Sequence, residues 1–358
     1  MKKVLVFIFM FFMGINLVEG KTIFANSYIL MDMDSNKVIY EKNAHNIRSV
    51  ASISKIMTAI VAIENKNIED KVIISEEIKK AYGSGIYIKV GEEMTLKDLL
   101  YGLMLRSGND ASLAIAKYVG GNVEEFVNMM NKKAVEIGMK NTTFNNPNGL
   151  DEEGGNLSTA YDMALLTSYA MKNEQYKEIV STKKYTLKTN MNYYSWINKH
   201  KLLHSYKYAT GGKTGFTEIA KRTLVTTASK DNINLVAVTL NDGNDFQDHI
   251  DLFEEAFENY TNYNILKKGN INILNEEYYE NDTLYIENDY NITLQNKNNN
   301  VILNYKIEKK DNYNDKDIVG KIEVKINDEI VHEENIYVKK GITLSFLDKV
   351  KNWFKNLW

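Results

Sequence analysis

The 358-residue chain has no cysteine and a single proline. Without cysteine there can be no disulfide and no thiol catalysis, so an exported form must be stable by packing alone. An excess of either charge is missing as well. Lysine and arginine total 44, aspartate and glutamate 47, for a net charge of −3. That balance gives no overall attraction to nucleic acid. A comfortable membrane span is also lacking at the N-terminus. The apolar run from Val4 to Val18 is short and is interrupted by Gly14 and Asn16. A phosphate loop is absent too, although "TGGKTGF" at 210–216 invites one. The pattern G-x-x-x-x-G-K-[ST] needs a first glycine at position 207, and that position is Lys207.

Hydrophobic residues at 44% and charged residues at 25% are ordinary for a soluble globular protein. The length allows two domains with substantial cores. Lys2 and Lys3 ahead of the apolar run, with Gly20 or Ala25 as cleavage positions, read as an export signal over residues 1–25. Cleaved or retained, it places the rest of the chain outside the cytoplasm.

Two alternating apolar runs around "DSNK", from Ser27 to about Tyr40, predict a β-hairpin. Helical periodicity follows. In "SKIMTAIVAIEN" it places Ile56, Ala59, Ile60 and Ile63 on one face. "LKDLLYGLMLRS", "NDASLAIAKYVGG", "VEEFVNMMNKKAVEIG" and "TAYDMALLTSYAM" behave alike, and "NNPNGLD" marks a turn. "KRTLVTTAS" and "NINLVAVTLN" read as adjacent strands joined by "KDN", with a helix in "QDHIDLFEEAFENYT". Strands at both ends and helices between them predict an α+β domain with an antiparallel sheet over residues 26–263. Residues 264–340 lose the helical period and alternate instead, which predicts a small all-β domain. Residues 341–358 place Phe346, Leu347, Val350, Trp353, Phe354 and Leu357 at helical spacing, opposite Lys349, Lys351 and Lys355. That pattern fits a helix lying in the plane of a membrane surface.

Three short patterns can carry chemistry. Ser52 and Lys55 stand at i and i+3, so hydroxyl and amine can meet on a helix. A serine becomes a nucleophile when a base takes its proton, and a lysine of lowered pKa can be that base. Ser107-Gly108-Asn109 falls in an interhelical loop, where a hydroxyl can relay a proton and an amide can bind a substrate amide. Lys213-Thr214-Gly215 precedes strand-like sequence and suits a carboxylate, with glycine permitting close approach of the ligand. Each pattern alone also fits an ordinary helix start or turn. Two further pairs carry less. His200 and His204 are spaced like zinc ligands but lack the accompanying glutamate, and Asp248-His249 has no nucleophile motif beside it.

The ordered set S-x-x-K, S-x-N and K-T-G resembles the penicillin-binding proteins and serine β-lactamases. "YILMDMDSNKVIYEKNA", "IYIKVGEEMTLKDLLYGLMLRSGNDAS", "LSTAYDMALL" and "GGKTGFTEIAKRTLVTTASKD" extend the resemblance to the low-molecular-mass D-alanyl-D-alanine carboxypeptidases. The resemblance implies a serine β-lactamase/transpeptidase-like domain with a helical subdomain, then the β domain. It makes Ser52 the acylated nucleophile, Lys55 the general base and Ser107 the proton carrier to leaving D-alanine. It gives Asn109 the substrate amide and Lys213 and Thr214 the terminal carboxylate, with Gly215 letting the ligand backbone come close. The oxyanion hole would be the N–H groups of Ser52 and Phe216. No cofactor or metal is implied. Substrates are peptidoglycan stem peptides ending in D-Ala-D-Ala, β-lactams are covalent inhibitors, and the site of action is the outer face of the cytoplasmic membrane. Two positions depart from the family: Asn148 where many relatives have histidine, and His200 where asparagine is usual. Both are expected to flank the cleft. The competing readings are a β-lactamase and a slow penicillin-binding scaffold protein.

Overall fold

The computed structural model describes residues 22–151, 154–273, 277–297 and 299–341. Strands β1 (Ser27–Asp32) and β2 (Val38–Lys42) form the expected N-terminal hairpin. Helices α1 (Lys55–Asn65), α2 (Leu96–Arg106), α3 (Asn109–Gly120), α4 (Val123–Ile137), α5 (Ala160–Ala170) and α6 (Glu174–Ser181) follow. After them come a separate hairpin, β3 (Lys184–Lys188) with β4 (Tyr193–Ile197), and the short helix α7 (Leu202–Ser205). Strands β5 (Ala209–Thr217), β6 (Lys221–Lys230) and β7 (Ile233–Leu240) lead into helix α8 (Asp245–Asn259).

The central sheet is antiparallel, in the order β2-β1-β7-β6-β5. Strand residues alternate between faces, and here both faces are covered. Ile29, Met31, Val236 and Val238 pack with the helical subdomain, while Leu30, Leu235 and Ala237 pack against Leu252, Phe253 and Ala256 of α8. That two-sided burial explains the near-continuous apolar runs of β1 and β7.

Helix α1 corrects the one-sided face expected of it. Lys55 through Ile63 is buried without a break, because α2, α3, α4, α5 and α6 surround it. A helix apolar on every side belongs in a core. The start of α2 is set by a capping box in which Thr95 Oγ1 accepts from Asp98 N at 3.1 Å and Thr95 N donates to Asp98 Oδ2 at 2.8 Å.

Strand β8 (Tyr260–Leu266) follows α8 directly and pairs with β10 (Tyr290–Gln295), so this pairing runs across position 264. Strands β9 (Thr283–Ile286), β11 (Val301–Ile307), β12 (Ile318–Ile326) and β13 (Glu329–Lys339) form a second sheet, with the two-residue strand Gly269–Asn270 at its edge. Ile292, Leu294, Ile322, Val324 and Val338 belong to its own core.

The terminal helix expected over 341–358 lies outside the described residues, as does the signal segment up to residue 21. The last residues expected to belong to the signal are packed into the domain. Ala25 is fully buried, and the Phe24 N–H donates to the buried Asp248 carboxylate at 2.6 Å. Among the described residues, no helix is long and apolar enough to cross a membrane.

Candidate active site

The nucleophile motif is built on a turn. Ala51 takes a left-handed backbone (φ 50), uncommon for a residue other than glycine. A 3-10 turn over Ala51–Ser54 follows, and α1 begins at Lys55. Ser52 is thus half-exposed on the turn while Lys55 is fully buried one helical step below. Lys55 Nζ stands 3.0 Å from Ser52 Oγ and donates to Asn109 Oδ1 at 2.8 Å and to the Asn148 carbonyl.

The electrostatics of this arrangement favour the neutral amine. Burial drives the Lys55 pKa well below its ordinary value, the charges of Lys213 and Lys199 lower it further, and Asp110 opposes them. A neutral amine has two N–H groups and one lone pair. Asn109 Oδ1 and Asn148 O can only accept, so they take both hydrogens. The lone pair is left facing the Ser52 hydroxyl, as a general base requires.

Ser107 closes α2 in a left-handed conformation (φ 64) and Asn109 opens α3. Both are buried. The Asn109 amide is oriented at both ends, since Oδ1 faces Lys55 while Nδ2 donates to Tyr82 O at 2.6 Å. Its second N–H remains for a ligand. Among the described residues, Ser107 Oγ makes no hydrogen bond to Ser52 or Lys55. The neighbouring Asp110, buried and absent from the predicted set, accepts from the backbone N–H of Ile86 at 3.0 Å and of Tyr87 at 2.7 Å. It holds the loop that contacts Asn109.

Strand β5 forms the opposite wall. Lys213 is buried and donates to Thr214 O at 2.8 Å. Burial lowers its pKa to about 7, and the charge of Lys199 acts in the same direction. Thr214 and Gly215 are half-buried and Phe216 is exposed. A Cβ on Gly215 would lie 3.0 Å from Ser52 N and 3.2 Å from Ile53 N. Glycine therefore lets β5 run alongside the nucleophile turn. Thr223 Oγ1 on β6 ties the sheet to that turn, donating to Val50 O at 3.0 Å.

All three motifs thus converge on Ser52, and two expectations need correction. Asn148 does more than flank the cleft, because its carbonyl receives Lys55. His200 lies beneath β5, buried, with Nε2 3.0 Å from Val225 O. His200 precedes α7 and His204 Nε2 meets Asn198 O, so the two imidazoles serve separate partners. Asp248 fastens Phe24 and Asn244, a structural task. Lys199 was missed: its backbone N–H is held by Leu105 O at 3.1 Å, and its charge lowers the pKa of both Lys55 and Lys213. Its only sequence signal was adjacency to the histidine segment.

The family model of the D-alanyl-D-alanine carboxypeptidases matches residues 15–244. D-alanyl-D-alanine carboxypeptidase DacF of Bacillus subtilis is 41% identical over 220 residues, covering 60% of this chain and 56% of that protein. The matched stretch therefore spans little more than half of that relative. Two solved structures resemble the fold across both domains. DacD of Francisella tularensis, a D-alanyl-D-alanine carboxypeptidase, has a TM-score of 0.67 at 25% identity, over 90% of this chain and 94% of its own. Penicillin binding protein 5 of Haemophilus influenzae reaches 0.74 at 23% identity, over 90% and 98%, a likeness of fold alone.

Proposed function

Because the chain belongs to the D-alanyl-D-alanine carboxypeptidase family, we propose that it removes the terminal D-alanine from peptidoglycan stem peptides through an acyl-enzyme on Ser52. The observation that carries this reading is the buried Lys55, whose Nζ stands 3.0 Å from Ser52 Oγ and is held by the Asn109 and Asn148 carbonyl oxygens. In the first step Ser52 Oγ attacks the carbonyl of the penultimate D-alanine while Lys55 takes the hydroxyl proton. The N–H groups of Ser52 and Phe216 receive the oxyanion. Lys213 and Thr214 hold the terminal carboxylate, and Asn109 holds the peptide amide. The proton passes by way of Ser107 to the leaving amine, and the C–N bond breaks. Water activated by Lys55 then hydrolyses the ester. A β-lactam would enter the same path and remain on Ser52.

The chain acts outside the cytoplasm in this reading, exported by its N-terminal segment. Processing at Gly20 rather than Ala25 preserves the Phe24–Asp248 bond and the buried Ala25. Residues 341–358 would hold the enzyme on the outer face of the cytoplasmic membrane by an in-plane helix.

The test is brief exposure of the purified protein to benzylpenicillin, followed by intact-mass measurement and peptide mapping. One adduct is expected, on the peptide containing Ser52, and none in Ser52→Ala. An adduct elsewhere, or none on the wild-type protein, overturns the assignment.

A further inference from the structure

A chain of buried hydrogen bonds lies beneath the Lys213 strand, and the reaction scheme above does not use it. His200, from the segment before α7, and His249, from α8, are both almost fully buried. They meet at one hydroxyl on β6. His200 Nε2 is 3.0 Å from Val225 O and 3.0 Å from Thr226 Oγ1. His249 Nδ1 is 2.8 Å from the same Thr226 oxygen, and its Nε2 is 3.2 Å from Thr239 Oγ1 on β7.

The acceptors decide where the protons sit. A carbonyl only accepts, so His200 Nε2 carries hydrogen. Thr226 Oγ1 then accepts from His200 and donates its own hydrogen to His249 Nδ1. His249 Nε2 is left protonated and donates to Thr239. Both rings are neutral, each in the Nε2–H form. Burial supports this by lowering the pKa of His200 to about 4 and that of His249 well below its usual value.

The chain's position gives it a task. In the β5–β6 register Val225 is opposite Lys213 and Thr226 is opposite Gly212. Gly212 has φ 143, and a Cβ there would fall 2.1 Å from Val225 O and 2.6 Å from His200 Nε2. The imidazole therefore occupies the space directly under the residue preceding Lys213, and it binds the carbonyl across from Lys213. Through Thr226 the same contact reaches α8.

We propose that His200, Thr226 and His249 form a positioning strut that fixes β5 at Gly212 and so aims Lys213 into the cleft. Neither imidazole touches substrate; both act through Lys213. The proposal rests on the reading of Lys213 as the carboxylate clamp.

Thr226→Val tests it, because it keeps the shape of the side chain and removes both histidine contacts. Thr226→Ser keeps the hydroxyl, and His200→Asn keeps a donor for Val225 O. In Thr226→Val, the KM for a D-Ala-D-Ala peptide should rise about tenfold with little change in kcat. The serine and asparagine variants should stay close to wild type. Imidazole nitrogen NMR on the wild-type protein should show both rings in the Nε2–H form, with the His249 Nδ1 signal shifted in Thr226→Val. Unchanged KM in Thr226→Val, or equal losses in the valine and serine variants, overturns the positioning role. A different tautomer at either ring refutes the strut while leaving the clamp standing. A wild-type protein with no peptide turnover refutes the clamp and the strut's role with it, even where the tautomers agree.

Discussion

The proposed reaction asks opposite charge states of two buried lysines in one cleft. Lys55 must be neutral to accept the Ser52 proton, and burial lowers its pKa in that direction. Lys213 must be charged to hold a carboxylate, yet burial lowers its pKa to about 7. The signs follow directly. Raising the pH past the Lys55 value creates the base, and raising it past about 7 discharges the clamp. The pH profile of kcat/KM reports the free enzyme, so on a D-Ala-D-Ala peptide it should fall about tenfold per pH unit on the alkaline side of 7. A bound carboxylate stabilises the ammonium, so the kcat profile should extend to higher pH. Lys213→Arg keeps its charge throughout and should lose the alkaline fall. Steady-state profiles between pH 5 and 9 decide it. A wild-type kcat/KM that still rises through pH 8 would remove Lys213 from the clamp.

At the level of elements, the turn Asn146–Gly149 shows how local chain geometry reaches the chemistry. Asn146 Oδ1 accepts from Asn148 N at 3.3 Å and Gly149 N at 2.7 Å, which curls the turn so that the Asn148 carbonyl meets Lys55. Gly149 has φ 78, and a Cβ on it would lie 2.2 Å from Ala51 O and 2.6 Å from Ser54 Oγ. Gly149→Ala should push this turn away from the nucleophile turn and withdraw a partner from Lys55. Penicillin acylation should slow on the order of 10²-fold, the scale set by a misplacement of about 1 Å. Circular dichroism should still show a folded chain. Acylation at the wild-type rate would mean that the Asn148 carbonyl does not orient the base. The sequence marked "NNPNGLD" as a turn but could not show this use of it, because motifs register side chains and the group involved is a backbone carbonyl. Ser52, Lys55, Ser107, Asn109 and the Lys213–Gly215 stretch stood out in the sequence only as an ordered set that resembles a known family, because each short pattern alone also fits an ordinary helix start or turn. The β1–β2 and β6–β7 hairpins of the central sheet were legible from alternation and turn residues. The complete burial of α1 was not, since enclosure by five helices removes the need for a polar face. Lys199 and His200 escaped because their places depend on contacts with Leu105 O and Val225 O, far away in sequence.

Across the whole molecule, the proposed catalysis and the proposed membrane attachment fall on different parts of the chain. The residues around Ser52 come from elements between the N-terminal hairpin and α8. The second sheet has its own core, and its last described residues are tied back to it. Lys340 N donates to Asp315 Oδ1 at 2.7 Å, and Gly341 N donates to Asp282 Oδ1 at 2.8 Å. A chain ending at Gly341 therefore keeps every contact described here for the cleft and the second core. What it loses is the segment whose sequence carries Trp353, Phe354, Lys349, Lys351 and Lys355. In the proposed attachment each such lysine would contribute about 1 kcal/mol on an anionic surface, screened by salt, and the apolar residues would add a term that salt does not screen. Binding of the longer protein to anionic vesicles should thus weaken only in part as salt rises. Two proteins lacking residues 1–20, one ending at Gly341 and one at Trp358, should hydrolyse a short D-Ala-D-Ala peptide equally. Only the longer one should sediment with the vesicles. Equal sedimentation would move the anchor elsewhere in the chain, and lower hydrolysis by the shorter protein would mean that the terminal segment supports the catalytic domain as well.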